Sequence, residues 1–256
     1  MDDLKVSIRT KEQIQEVIDQ LKAIYNEVTV HEEEIHDYLG MIVEHDREAG
    51  SVKINMRAYI EGTVIALHED EPDEKLKEVS TPATNNLFKI QEGEVEKLLH
   101  KRAKTFHSIV ARLLFAAKRS RPDILLAVSF LTTHVKEPDA DDWKKLIRVL
   151  SYLQGTLDHC LTLVCTNLDQ LTWYIDGSYA SHMDMKGQSG AVLVPGNFAV
   201  LFKSSKQKVN TRSSTETELI AVNDALSTIQ WTKNFMKEQG YELNTEIKED
   251  TEVPCS

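Results

Sequence analysis

Three carboxylates stand where the hydropathy pattern closes a strand or opens a helix. Asp176 ends the alternating run LTWYID, Glu218 falls in the first turns of a long amphipathic stretch, and Asp250 ends a short run around Ile247. Carboxylates that converge without basic partners bind cations, and two hard cations about 3.5 to 4 Å apart activate water and stabilise the leaving oxygen of a phosphodiester. Spacing alone does not decide the matter, because a chain with 41 acidic residues contains many such triples. A second feature is electrostatic. From Lys97 to Arg121 the chain carries Lys97, Lys101, Arg102, Lys104, Arg112, Lys118, Arg119 and Arg121 and no carboxylate. Such a block is either a phosphate-contacting surface or an ordinary helix face balancing acids elsewhere in the fold. The run KSSKQKVNTR adds Lys206, Lys208 and Arg212 to the same question. The net charge of −11 argues against a protein that grips nucleic acid over its whole surface, yet local basic faces suffice to track a backbone.

The elements that must position these residues follow from periodicity. Leu4, Val6 and Ile8 alternate and predict an opening strand, and Thr10 with Gln13 starts a helix whose apolar face runs from Ile14 to Tyr25. Val28–Val30, Tyr38–Val43 and Val52–Met56 read as strands, the last two separated by the turn-like EHDREAGS. Between Glu61 and Glu96 ten acids face Lys75, Lys77 and Lys89, and Pro72 and Pro82 interrupt the pattern, which predicts a solvated linker. Three helices follow: one through Phe106 to Ala117, one after Arg121-Pro122-Asp123, and one from Asp139 or Asp141 to Gly155. The period then changes to two in LTWYID, GAVLVP and FAVLFK. Ser213 with Glu216 makes a capping box for a helix through Leu219, Leu226 and Phe235 to Gly240, before a last short strand. No apolar run approaches the roughly 18 residues of a membrane span, and MDDLKVSIRT has no secretory pattern, so an intracellular protein, cytoplasmic or nuclear, is expected. Cys160, Cys165 and Cys255 fit no metal-ligand spacing and are expected as reduced thiols.

WYIDGSYASH followed by KSSKQKVNTRSSTETELIAVNDAL resembles the integrated ribonuclease H of copia-type retrotransposon polyproteins. That family has a strand ending in Asp, then S-K-K-Q, then S-S-T-E-A-E-Y-x-A. The last piece stands here as Ser213-Ser214-Thr215-Glu216-Thr217-Glu218-Leu219-Ile220-Ala221. The resemblance puts the catalytic acids on Asp176 and Glu218, and on Asp250 through a looser match in which Thr251 replaces the family's Asn. Upstream, the stretch from FHSIVARLLFAAKRSRPDILLAV to RVLSYLQGTLDH is similar to the family's Y-x-x-x-V-G-x-L-x-Y, T-R-P-D-I and R-V-L-R-Y-L-K-G-T landmarks. DYLGMIVEHD, INMRAYI and VSTPAT resemble its passage from palm sheet to thumb, and MDDLKVS the end of the reverse transcriptase Y-M-D-D turn.

The resemblance implies an α/β fold class, α+β overall. A truncated ribonuclease-H-like mixed sheet with a crossover helix would follow a helical thumb or connection region and a reverse transcriptase palm remnant. Its expected boundaries are 1–60 for the palm remnant, 61–96 for the acidic linker, 97–168 for the helical region and 169–256 for the ribonuclease-H-like domain. It implies two Mg2+ ions held by Asp176, Glu218 and Asp250, with Asp2 and Asp3 matching two palm metal ligands. An RNA–DNA hybrid or single-stranded nucleic acid is the expected partner, and no membrane. Polymerisation is not expected, because the fingers and a third palm ligand would lie before residue 1. The alternative is a transposon remnant that binds nucleic acid without turnover.

Overall fold

The computed structural model describes residues 4–249 except 7, 9, 26, 32, 90–95 and 165–167. Helix α1 (Lys11–Ile24) opens at Thr10, whose hydroxyl accepts from the Gln13 amide at 3.3 Å. Strands β1 (Ile35–Tyr38), β2 (Met41–Asp46) and β3 (Ser51–Asn55) follow as an antiparallel meander. Next come α2 (Arg57–Asp70), α3 (His100–Ala117), a 3₁₀ turn at Pro122–Ile124, α4 (Leu125–Thr132) and α5 (Ala140–Gly155). Strand β4 (Leu161–Val164) then returns to pair antiparallel with β3. These elements share one core, in which Ile60 and Leu67 of α2 meet Phe106 and Leu113 of α3, Phe130 of α4 and Leu146 and Leu150 of α5.

Five expectations are corrected here. Among the described residues neither Leu4–Ile8 nor Val28–Val30 forms a strand. The single strand expected over Tyr38–Val43 is a hairpin, because Leu39 (φ 54°) and Gly40 (φ 73°) both adopt the left-handed backbone that reverses a chain in two residues. Strand β4 lies inside the segment read as helical; four residues are too few for alternation to announce them. The acidic stretch is no solvated linker. Its first part lies in α2, whose open start is served by Asn55 Oδ1 accepting from the Arg57 amide at 2.6 Å. Beyond the helix Leu87 is buried, and Leu76, Val79 and Phe88 pack on the core.

The second sheet contains β5 (Gln170–Ser178), β6 (Gln188–Pro195), β7 (Leu201–Lys206) and β8 (Asn244–Glu249) in the order β7-β6-β5-β8. Strands β5, β6 and β7 are successive antiparallel neighbours, and β8 lies parallel to β5 on its other side. Helix α6 (Ser214–Glu238) connects β7 to β8, starting where Ser213 Oγ accepts from the Glu216 amide at 3.2 Å. The Glu216 carboxylate turns back to the Arg212 amide at 2.6 Å instead of closing the expected box on Ser213. A separate core of Leu171, Trp173, Ile175, Ala191 and Leu193 packs under Ala221, Ala225 and Ile229 of α6. The two halves meet where α4 touches β7. There Ser129 Oγ donates to Ser204 O at 2.9 Å, and Gln188 Nε2 donates to Ser204 Oγ at 2.7 Å.

Candidate functional site

Strand β5 is apolar on one face through Leu171, Trp173 and Ile175, and this face carries α6. Gly177 continues that face and is the place of closest approach. A Cβ added there would lie 2.7 Å from the Thr217 carbonyl oxygen and 3.1 Å from the Glu218 Cα. Only a residue without a side chain admits the helix backbone so near the strand. The sequence therefore brings the chain at Glu218 directly against the residue that follows Asp176. In a pleated strand neighbouring side chains leave opposite faces, so the exposed Asp176 starts on the face away from α6, while Glu218 is partly exposed on the helix. Among the described residues neither carboxylate has a hydrogen-bond or ion-pair partner. Asp250, Asp2 and Asp3 lie outside the described residues. Strand β8 pairs its last residue, Glu249, with Ile175, one position before Asp176.

The start of α6 is pinned from beneath by a buried polar knot. Gln207, just past β7, is 1% exposed, and its Nε2 donates to Thr217 O at 2.9 Å and to Ser189 Oγ at 3.1 Å. Ser189 Oγ in turn donates to Asp224 Oδ2 at 3.0 Å, and Lys203 Nζ donates to the Asp224 carbonyl. Thr217, fully buried, shares a 2.6 Å hydroxyl–hydroxyl hydrogen bond with Thr211. Gly177 and Gln207 were not singled out by the reading of the acids; the signal available for them is the glycine directly after the strand aspartate and the glutamine of the S-S-K-Q run.

The basic candidates separate into two groups. Arg102 is committed to the acidic stretch: it bonds Glu74 Oε2 at 2.7 Å, lies 3.5 Å from Glu71, and stacks 4.2 Å over the Trp143 ring. Lys101 Nζ reaches the Asp70 carbonyl at 3.4 Å, and Lys206 pairs with Asp184 at 2.9 Å. Arg121 is 1% exposed, held by Asp123 and by the Thr156 carbonyl and hydroxyl at 2.7 to 2.8 Å. Lys104, Lys208 and Arg212 remain exposed. Within the Lys97–Arg121 block, Arg102 and Arg121 thus balance acids of the fold, the bland member of the two readings for these two residues.

The donor chemistry at Asp176 and Glu218 suits a hard cation, since both are carboxylates left without a counter-charge among the described residues. Among the described residues no group of three His, Cys, Asp or Glu side chains is arranged to hold a metal, and none of the helices is long and apolar enough to cross a membrane. Cys160 is a free, exposed thiol.

No protein-family profile matches the chain. It is 35% identical to the retrovirus-related Pol polyprotein of transposon RE2 from Arabidopsis thaliana over 140 residues, 54% of this chain and 10% of that protein. With the corresponding Pol polyprotein of transposon TNT 1-94 from Nicotiana tabacum it shares 28% identity over 206 residues, 79% of this chain and 15% of that protein. The chain is similar to copia-type retrotransposon Pol polyproteins. A transposon Ty5-1 protein of Saccharomyces cerevisiae extends the similarity to 90% of this chain and 72% of that protein, at 28% identity over 233 residues. Against the two plant Pol polyproteins the chain spans 10% and 15% of their length.

Proposed function

We propose that this Pol segment is a reverse transcriptase/ribonuclease-H-like region whose second sheet hydrolyses the RNA strand of an RNA–DNA hybrid. Asp176 and Glu218 would hold Mg2+, with Asp250 as the third acid. The carrying observation is the pair of carboxylates without partners among the described residues, at the point where α6 closes on the end of β5. Glu74 beside α3, by contrast, is matched with Arg102. When bound, the metal supplies Lewis acidity and an activated water. The chain's own part is to hold two acceptor-only side chains in place, with β5 and α6 fixed to each other through Gly177. Exposed Lys104, Lys208 and Arg212 would contribute phosphate contacts.

A 5′-labelled RNA annealed to DNA and incubated with Mg2+ or Mn2+ tests this reading. Internal cleavage is expected that disappears on chelation and in Asp176→Asn and Glu218→Gln; cleavage surviving all three belongs to other chemistry. The second reading, hybrid binding without turnover, is favoured by the pleat, which starts the Asp176 side chain on the face away from α6. It expects retention of the hybrid with no cleavage. In either reading binding weakens with salt, and Lys208→Gln with Arg212→Gln lowers the log–log slope by about 0.9 for each phosphate contact removed. An unchanged slope removes these two residues from the interface.

A further inference from the structure

We propose that Gln207 is the positioning residue of the carboxylate site: its carboxamide fixes the turn of α6 that carries Glu218 beside the end of β5. The inference rests on the metal-site reading above for its functional meaning, and on hydrogen bonding alone for its structural part. Gln207 follows β7 and is tied into the fold at both ends, its backbone amide donating to Gly187 O at 2.8 Å and its Nε2 to Thr217 O at 2.9 Å. Thr217 O is the same atom that approaches Gly177 most closely, and the next residue is Glu218. A carbonyl has two lone pairs, so Thr217 O serves the helix with one and receives Gln207 with the other. Sliding or tilting α6 by one residue would break this bond and bring a different backbone atom against Gly177.

Two features mark the carboxamide as selected for its donors. Both Nε2 hydrogens are used, on Thr217 O and Ser189 Oγ, whereas Oε1 is buried with no hydrogen-bond partner. A buried acceptor without a partner is a loss that a plain packing role would avoid by using a leucine or methionine. Space has also been cleared for the side chain: a Cβ on Gly187 would stand 2.7 Å from Gln207 Oε1 and 2.9 Å from the Thr217 methyl. A glutamate at 207 would turn acceptors toward the Thr217 carbonyl and remove the donor on which the contact depends.

Hydrogen exchange by NMR with Mn2+ titration of the whole chain tests the proposal. In the wild type the Gln207 side-chain amide protons should exchange slowly; free exchange overturns the inference without any variant. In Gln207→Leu, exchange of amides 217–221 should rise at least tenfold while amides 229–236 stay unchanged, and Mn2+ affinity should fall at least tenfold. A uniform rise along α6, no rise at 217–221, or unchanged Mn2+ affinity overturns it, since a packing role alone would loosen the whole helix. Ser189→Ala, which spares the bond to Thr217, should leave the 217–221 amides protected. If the wild type binds no Mn2+, the metal-site reading falls, and the exchange pattern still decides whether Gln207 holds the turn.

Discussion

Around α3 four acids are matched: Glu74 with Arg102 and the Trp143 ring N–H, Asp70 with Thr105, Asp123 with Arg121, Asp142 with His134. Around the start of α6 the surroundings are equally rich in polar groups, and among the described residues none of them bonds Asp176 or Glu218. The hydroxyls and amides there bind one another, the backbone, or the carboxylates of Asp224 and Glu216. A matched carboxylate contributes to holding elements together, whereas an unmatched one in a well-bonded neighbourhood is free to serve something outside the chain. The contrast also explains why a chain of net charge −11 carries so dense a basic segment: part of that segment is consumed internally by α2 and the stretch after it.

The contrast is broken most directly at Arg121. Replacing this buried guanidinium by Ala removes the ion pair with Asp123 and the bonds to the Thr156 carbonyl and hydroxyl, and should cost about 3 kcal/mol in urea unfolding. A loss below about 1 kcal/mol would mean that matching around the helices is ornamental. Next in size, Gly177→Ala puts a Cβ into the Thr217 carbonyl and should cost about 2 kcal/mol, with near-UV circular dichroism of buried Trp173 altered in the same sample.

A smaller effect comes from His182 at the junction of the halves. Burial, foremost, pushes its imidazole below the ordinary value of 6.5, helped by Lys206 and His134, while the bond to Gln188 and the charge of Asp184 pull the other way. The imidazole is held neutral in the folded state, its Nε2 meeting Gln188 Oε1 at 2.9 Å between Phe88 and Phe130. Because the folded value is the lower one, the unfolded chain takes up the proton first. Stability due to this group is therefore complete above pH 6.5 and lost as pH falls through the folded value. Urea midpoints measured between pH 8 and pH 5 should show that loss, and His182→Gln should flatten it. Smallest of all, Asp176→Asn and Glu218→Gln should each change stability by less than about 0.5 kcal/mol, since neither removes a contact. A larger loss from either would place that acid among the matched ones.

Much of the second half was legible because its signals are local. Ser213 caps α6, the alternating runs became β5, β6 and β7, and the Ile247 strand pairs parallel to β5 as the order of elements required. The start of α5 was legible for the same reason to within two residues, Asp139 or Asp141; it is Asp139 that caps the helix, with Asp142 closing the box at 3.1 Å. The first half hid what depends on partners far away in sequence. Helix α2 lacks a side-chain cap at Met56 and a clean polar face, and it is fixed by burying Ile60, Thr63 and Leu67 against helices that come later. The hairpin at Leu39 escaped because leucine is a poor advertisement for a left-handed turn. The burial of Arg121 escaped because charge patterning counts a guanidinium as surface. At the site, the acids showed their positions in the sequence, but the lack of partners around them is a property of the folded neighbourhood.

Strand β8 ends the second sheet, and among the described residues nothing pairs with its outer side. A bare strand edge is a template on which a second molecule can extend the sheet, and from there fibres grow. This one reads NTEIKE, with Glu246, Lys248 and Glu249 in six residues, and Lys248 lies 3.5 Å from Glu246. Any strand laid along it would have to bury those charges or face their repulsion, so the flank is guarded against aggregation by the side chains of the same strand that completes the sheet.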